Sequence, residues 1–201
     1  MFEKEPNAPL DADQIKKSVA DFYHEIATDQ QKTKVDTNQL NQSIGYSVEE
    51  IASAPEESNM GLGCGNPQEK AKPQPGETIV DLGCGKGFDA FIAAKAVGEK
   101  GRVIGVDMTL QMIQRARAIA QKRHFEQVDF RLGEIEHLPV ADNTADLVIS
   151  NCVINLSTAK QDVYNEIFRI LKPGGRIGIS DITLYEDLPH SVYENPKMYG
   201  T

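Results

Sequence analysis

The stretch Thr78-Ile79-Val80-Asp81-Leu82-Gly83-Cys84-Gly85-Lys86-Gly87 decides the fold. A short apolar run leads directly into three glycines on alternate positions, and Phe88, Phe91, Ile92 and Ala96 follow at helical spacing. Such a run suits a strand covered on both faces. A glycine turn that joins the strand to a helix lies at the strand's carboxyl end, where open parallel sheets hold ligands. Glycine there permits positive φ and lets backbone approach the ligand closely.

Further along the chain, short β-branched runs at Arg102–Asp107, Val128–Leu132, Ala145–Ser150 and Arg176–Ile182 alternate with helical patterns. One helix is marked by Met112, Ala116, Ile119 and Ala120, another by Val163, Ile167, Ile170 and Leu171. Strands alternating with helices imply an α/β fold, a Rossmann-like doubly wound and mainly parallel sheet. This domain is read as residues 76–201, beginning after Pro73 and Pro75.

Residues 1–75 read as an N-terminal helical cap followed by a cysteine-containing loop. Ile15, Val19, Phe22, Tyr23 and Ile26 share one helix face, and Asp11 with Gln14 forms a capping box at its start. From Thr28 to Ser43 only Val35 and Leu40 are large apolar residues, which predicts a mobile loop or a poorly anchored helix. Ser47 and Glu50 form a second capping box, Pro55 ends that helix, and Gly61–Pro67 follows as a loop of turn formers.

A chain of 201 residues amounts to one domain with a small appendage, at roughly 150 residues per domain. An apolar fraction of 40% with 25% charged residues excludes disorder along the whole length. The net charge of −9 and the absence of long basic clusters argue against a nucleic-acid partner. No apolar run approaches the ~20 residues of a membrane span, and the opening lacks the apolar stretch of a signal peptide. The expected location is therefore cytoplasmic, with Cys64, Cys84 and Cys152 as free thiols.

The second strand ends in Asp107, 24 positions after Gly83, which suits a carboxylate accepting hydrogen bonds from ribose hydroxyls. The glycine spacing is G-x-G-x-G, with Asp81 two residues ahead, rather than the G-x-G-x-x-G of dinucleotide sites. An acidic entrance favours a nucleoside with ammonium and sulfonium groups over a pyrophosphate, and the expected cofactor is S-adenosylmethionine.

This arrangement resembles the class I S-adenosylmethionine-dependent methyltransferases, as does Leu171-Lys172-Pro173-Gly174-Gly175 before the fifth strand. The resemblance implies that Asp81 helps hold the methionine end, Asp107 with Met108 the ribose, that Glu134 and Ile135 flank the adenine, and that Gly83 and Gly85 belong to the cofactor-binding turn.

Gly61–Pro67, Val106-Asp107-Met108-Thr109, Leu132-Gly133-Glu134-Ile135-Glu136 and Asn151-Cys152-Val153-Ile154-Asn155-Leu156-Ser157 together resemble arsenite methyltransferases. That resemblance adds Tyr46 and Asn151 to the cofactor site and makes Cys64 and Cys152 the thiolates that hold trivalent arsenic. The implied substrate is arsenite or methylarsenite, free or as a thiol conjugate. Soft thiolates do select soft thiophilic ions. Taken alone, each cysteine also reads as a small buried residue, and Cys84 reads as one chosen for space inside the glycine loop.

Two departures from the family follow. The 19 residues after Ile182 are too few for a further helix and the antiparallel hairpin that completes such sheets. The third cysteine expected after a segment like Leu188–Tyr199 is not reached, so the chain reads as a C-terminally incomplete enzyme. The alternatives are a methyltransferase for a small organic molecule such as a quinone, and a module that binds cofactor or arsenicals without turnover.

Overall fold

The computed structural model describes residues 11–28 and 36–186. Strands β1 (Thr78–Leu82), β2 (Arg102–Asp107), β3 (Val128–Leu132), β4 (Ala145–Asn151) and β5 (Leu171–Ser180) form one sheet of order β3-β2-β1-β4-β5. Every neighbouring pair is parallel. The strand order reverses between β1 and β4, and the crevice at the strands' carboxyl ends opens at that switch point.

Side chains alternate across the sheet, as the two-residue strand period requires. Ile79, Val103, Leu147 and Ile149 pack against helix α5 (Phe88–Val97) and helix α6 (Leu110–Lys122). Val80, Leu82, Ile104, Val106 and Val148 pack on the other face with Val163, Ile167 and Ile170 of helix α7 (Lys160–Ile170). Both faces are covered, which is why β1 shows no polar alternation. Phe91 is fully buried with its ring against Phe125 and Phe130 at centroid distances of 4.7 and 5.5 Å. Burying that ring contributes about 2–3 kcal/mol.

Before the sheet come helices α1 (Ala12–Ala27), α2 (Thr37–Ser43), α3 (Val48–Ser53) and α4 (Pro67–Ala71). Both expected capping boxes form, at Asp11 with Gln14 and at Ser47 with Glu50. Of the loop or poorly anchored helix expected over 28–43, residues 37–43 form helix α2, which is better anchored than expected. Asp36 caps α2 by accepting from the N–H groups of Asn38 and Gln39, and Asn41 buries its amide against Asn59. A polar cap and one buried amide anchor a helix that has little apolar surface. Residues 29–35 lie outside the described residues.

The fifth strand also differs from expectation. It begins at Leu171, paired with Ala145, and the ladder resumes at Arg176 opposite Leu147 after an irregularity around Pro173-Gly174-Gly175. It ends at Ser180, because the carboxylate of Asp181 accepts the N–H groups of Asn155 and Ile182 in place of a ladder partner. Among the described residues β5 is an edge strand, with Ile177 and Ile179 exposed. The Leu188–Tyr199 segment, expected to lead towards a third cysteine, lies outside the described residues. Among the described residues no helix is long and apolar enough to cross a membrane.

Candidate active site

A cleft partly open to solvent runs along the carboxyl ends of β1, β2 and β4. It brings together Tyr46, Asp81, Gly83, Gly85, Asp107, Met108, Ile135, Asn151 and Cys152 of the expected site residues.

The glycine turn makes the floor. Gly83 has a φ of +65°, and a Cβ there would come within 2.5 Å of Val153, so both conformation and space require glycine. Cys84 N–H then donates to the Val106 carbonyl at 3.0 Å, which ties the turn to the neighbouring strand. Asp107 is oriented by two backbone donors, Gly85 N–H at 2.9 Å and Thr109 N–H at 2.8 Å. The Thr109 side chain hydrogen-bonds the same carboxylate, and the acceptor capacity left over is available to a ligand hydroxyl.

Asp81 is 2% exposed, and its Oδ2 has no hydrogen-bond partner. Burial, followed by the charges of Asp89 and Asp107, raises its carboxyl well above the usual carboxylate range. An orphaned buried acceptor between two further carboxylates suits a cationic donor.

Tyr46 and Asn151 belong to a buried network centred on Asp89, a residue that the sequence reading missed. The Tyr46 hydroxyl donates to Asp89 Oδ1 at 2.8 Å, and Asn151 Nδ2 donates to Asp89 Oδ2 at 3.0 Å. The legible signal was an acid in the first turn of the helix after the glycine loop, where the helix dipole favours negative charge.

Glu134, expected beside the adenine, is not among the residues that line the cleft. Its side chain is half-exposed and pairs with Lys16 Nζ at 2.7 Å, while the next acid, Glu136, is buried, lines the cleft and accepts from Ser157 Oγ at 2.6 Å. Ile135, between them, does line the cleft. Lys16, Val19 and Tyr23 of α1 close one side. The sequence placed Val19 and Tyr23 on one helix face but could not say what that face covers.

The expectation of free thiols at Cys64 and Cys152 is also corrected. The two are joined as a disulfide, with Cα atoms 5.6 Å apart across a separation of 88 positions. Cysteines remote in the chain meet because β4 ends beside the Gly61–Pro67 loop. Cys152 lines the cleft and takes a left-handed φ of +59°, its N–H donating to the Ser180 carbonyl at 2.8 Å. That conformation costs a residue other than glycine about 1–2 kcal/mol, so the surrounding fold holds it there. Cys84 is free and buried. Burial, then Asp107 and Asp81, pushes its thiol well above the ordinary range, which makes it a poor thiolate ligand.

An all-parallel 3-2-1-4-5 sheet with acids at the carboxyl ends of β1 and β2 is the class I methyltransferase fold, and residues 73–201 match the family described as "Methyltransferase domain". The chain belongs to that family. Among its relatives, the arsenite methyltransferase of Halobacterium salinarum is 51% identical over 153 residues, covering 76% of this chain and 39% of the relative. The arsenite methyltransferase of Mus musculus is 33% identical over 213 residues, covering 96% and 54%. The crystal structure of an arsenic (III) S-adenosylmethionine methyltransferase from Chlamydomonas reinhardtii superposes with a TM-score of 0.60 at 37% identity, covering 80% of this chain and 53% of that one. The chain thus spans about half, or less, of the length of these relatives.

Proposed function

We propose that this protein transfers the methyl group of S-adenosylmethionine to trivalent arsenic held by the thiols of Cys64 and Cys152. The observation that carries this reading is the meeting of two cysteines, 88 positions apart, beside the same cleft that buries Asp81 and Asp107.

The residues fit the cofactor. Asp81 offers an unpartnered buried oxygen to an ammonium, Asp107 with Met108 beside it offers its remaining acceptor capacity to ribose hydroxyls, and Ile135 offers apolar contact to the base. When bound, S-adenosylmethionine supplies a methyl on sulfonium sulfur, which the arsenic lone pair takes while the carbon–sulfur bonding pair stays with sulfur. Such a displacement needs in-line approach more than an acid or base, so the chain's contribution is orientation and exclusion of water. The Gly83–Gly85 turn would let the backbone approach the cofactor closely, and α1 covers one side of the cleft with Val19 and Tyr23.

In this reading the disulfide must first be reduced, and the resulting dithiol holds arsenite or methylarsenite, delivered free or as a thiol conjugate. Soft thiolates select the ion, and two of them leave one position for water or an added thiol. A reducing cytoplasm is the compartment in which such a pair stays open.

The test is incubation of reduced protein with arsenite, glutathione and methyl-labelled cofactor. Methylated arsenic formed by the parent chain and lost in Cys64→Ser and Cys152→Ser supports the reading. Methylation of a small organic acceptor that survives both substitutions, or binding of cofactor and arsenite without product, overturns it.

A further inference from the structure

We propose that Asp89 is a positioning residue which, through Asn151, sets the geometry of the thiol pair; the role in arsenic capture rests on the function proposed above.

Asp89 lies in the first turn of α5, 8% exposed. Its carboxylate accepts from the Tyr46 hydroxyl at 2.8 Å, from Asn151 Nδ2 at 3.0 Å and from Gln68 Nε2 at 3.2 Å. Burial raises its pKa, and the three donors act in the opposite direction by favouring the ionised form.

The consequence falls on Asn151. Its Nδ2 also faces the Tyr46 hydroxyl and the Gly65 carbonyl, both at 2.8 Å, and its Oδ1 accepts Cys64 N–H at 2.9 Å. Only one orientation of the amide satisfies this arrangement. Turned over, its oxygen would face the Asp89 carboxylate and the Gly65 carbonyl, and its NH₂ would face the Cys64 N–H. The carboxylate of Asp89 therefore selects the amide orientation that grips the Cys64 backbone. The loop lies directly on this amide, since a Cβ added at Gly63 would fall 2.8 Å from Asn151 Nδ2. Asn151 is followed in the chain by Cys152, so one side chain fixes one thiol's loop against the other thiol's backbone.

Asp89→Asn keeps the shape but leaves one acceptor oxygen where two now serve Tyr46, Gln68 and Asn151, so the amide orientation of Asn151 is no longer imposed by a carboxylate. The thiol geometry is read in two ways in the full chain. The equilibrium of the Cys64–Cys152 disulfide with glutathione requires no arsenic chemistry, and the affinity of the reduced protein for phenylarsine oxide reports capture by two thiols. We expect the disulfide equilibrium to shift towards dithiol roughly 5- to 10-fold and phenylarsine oxide to bind roughly 10-fold more weakly, with a cooperative melting transition retained.

A folded variant with both readouts unchanged, or with a lowered melting temperature alone, overturns the proposal. Should Asp89→Asn fail to fold, Tyr46→Phe decides. It removes one donor to Asp89 and should shift both readouts in the same direction by roughly 2- to 5-fold; no shift overturns the proposal. A parent chain that binds phenylarsine oxide yet forms no methylated arsenic counts against the function alone, because the glutathione equilibrium still tests Asp89.

Discussion

The carboxylate part of the cleft comes from one continuous stretch, Thr78–Asp107, whereas the thiol part joins a loop before the sheet to the end of β4, 88 positions apart. The first is held by short-range backbone geometry: the positive φ of Gly83, the turn closed by Gly87 N–H on the Cys84 carbonyl, and Asp107 oriented by backbone donors. The second is held by side chains that reach across the fold, with Asn151 gripping Cys64 and Gly65 while Asp89 and Tyr46 grip Asn151. A part made from adjacent residues is readable as a motif. A part made by side chains that converge in space depends on each member being in place.

If the two parts are separable, Cys64→Ser and Cys152→Ser should reduce arsenic methylation by about 100-fold or more while cofactor affinity, measured by calorimetry, moves by less than about threefold. A large loss of cofactor affinity in either variant would break the distinction.

The reciprocal variant, Asp81→Asn, should weaken cofactor binding by roughly 10- to 100-fold and leave phenylarsine oxide capture unchanged. It should also leave the cofactor-free protein equally or more resistant to heat, because it removes a buried carboxyl without a partner on Oδ2.

The pH dependence sharpens the contrast. Asp81 has its folded-state pKa raised by burial and by Asp89 and Asp107, so the cofactor-free fold keeps its proton to higher pH than the unfolded chain, which releases it at about pH 4. That contribution is present below the unfolded value and is lost as pH rises through the folded one. A cationic cofactor favours the ionised form, so its affinity should rise with pH over the same window and its binding should release protons. Calorimetry from about pH 5 to about pH 8 in buffers of different ionisation enthalpy checks this; a proton-independent heat would overturn it.

The smallest effect is expected at Lys16→Ala. Its ion pair with Glu134 joins side chains 30% and 49% exposed, so the loss in stability should stay under about 1 kcal/mol by denaturant titration. Cofactor affinity should fall no more than about threefold.

The sheet was legible because its strands are apolar runs bounded by glycines. β1, β2 and β3 match the expected spans, and β4 extends one residue further, to Asn151. β5 was misplaced because Leu171 pairs with Ala145 ahead of the Pro-Gly-Gly irregularity, and strand pairing across a bulge leaves no local pattern. Asp107 was legible from its spacing after Gly83. Asp89 was not, since one acid in a helix's first turn is ordinary until Tyr46 and Asn151 are seen to converge on it. Glu134 and Glu136 have the same residue type two positions apart, and only the packing of Lys16 and Ser157 determines which one turns inward.

By itself, the sequence determined the α/β class, the glycine turn, the acids at the ends of β1 and β2, and a family resemblance that named both cysteines. Each of these is encoded in contiguous residues, where backbone preference and burial period act locally. Only the tertiary structure decided that Cys64 and Cys152 are bonded rather than free, that Cys152 takes a left-handed backbone, and that Asn151 beside them hydrogen-bonds Asp89. Those facts depend on distances between segments, which the packing of helices on the sheet establishes and no single stretch of sequence contains.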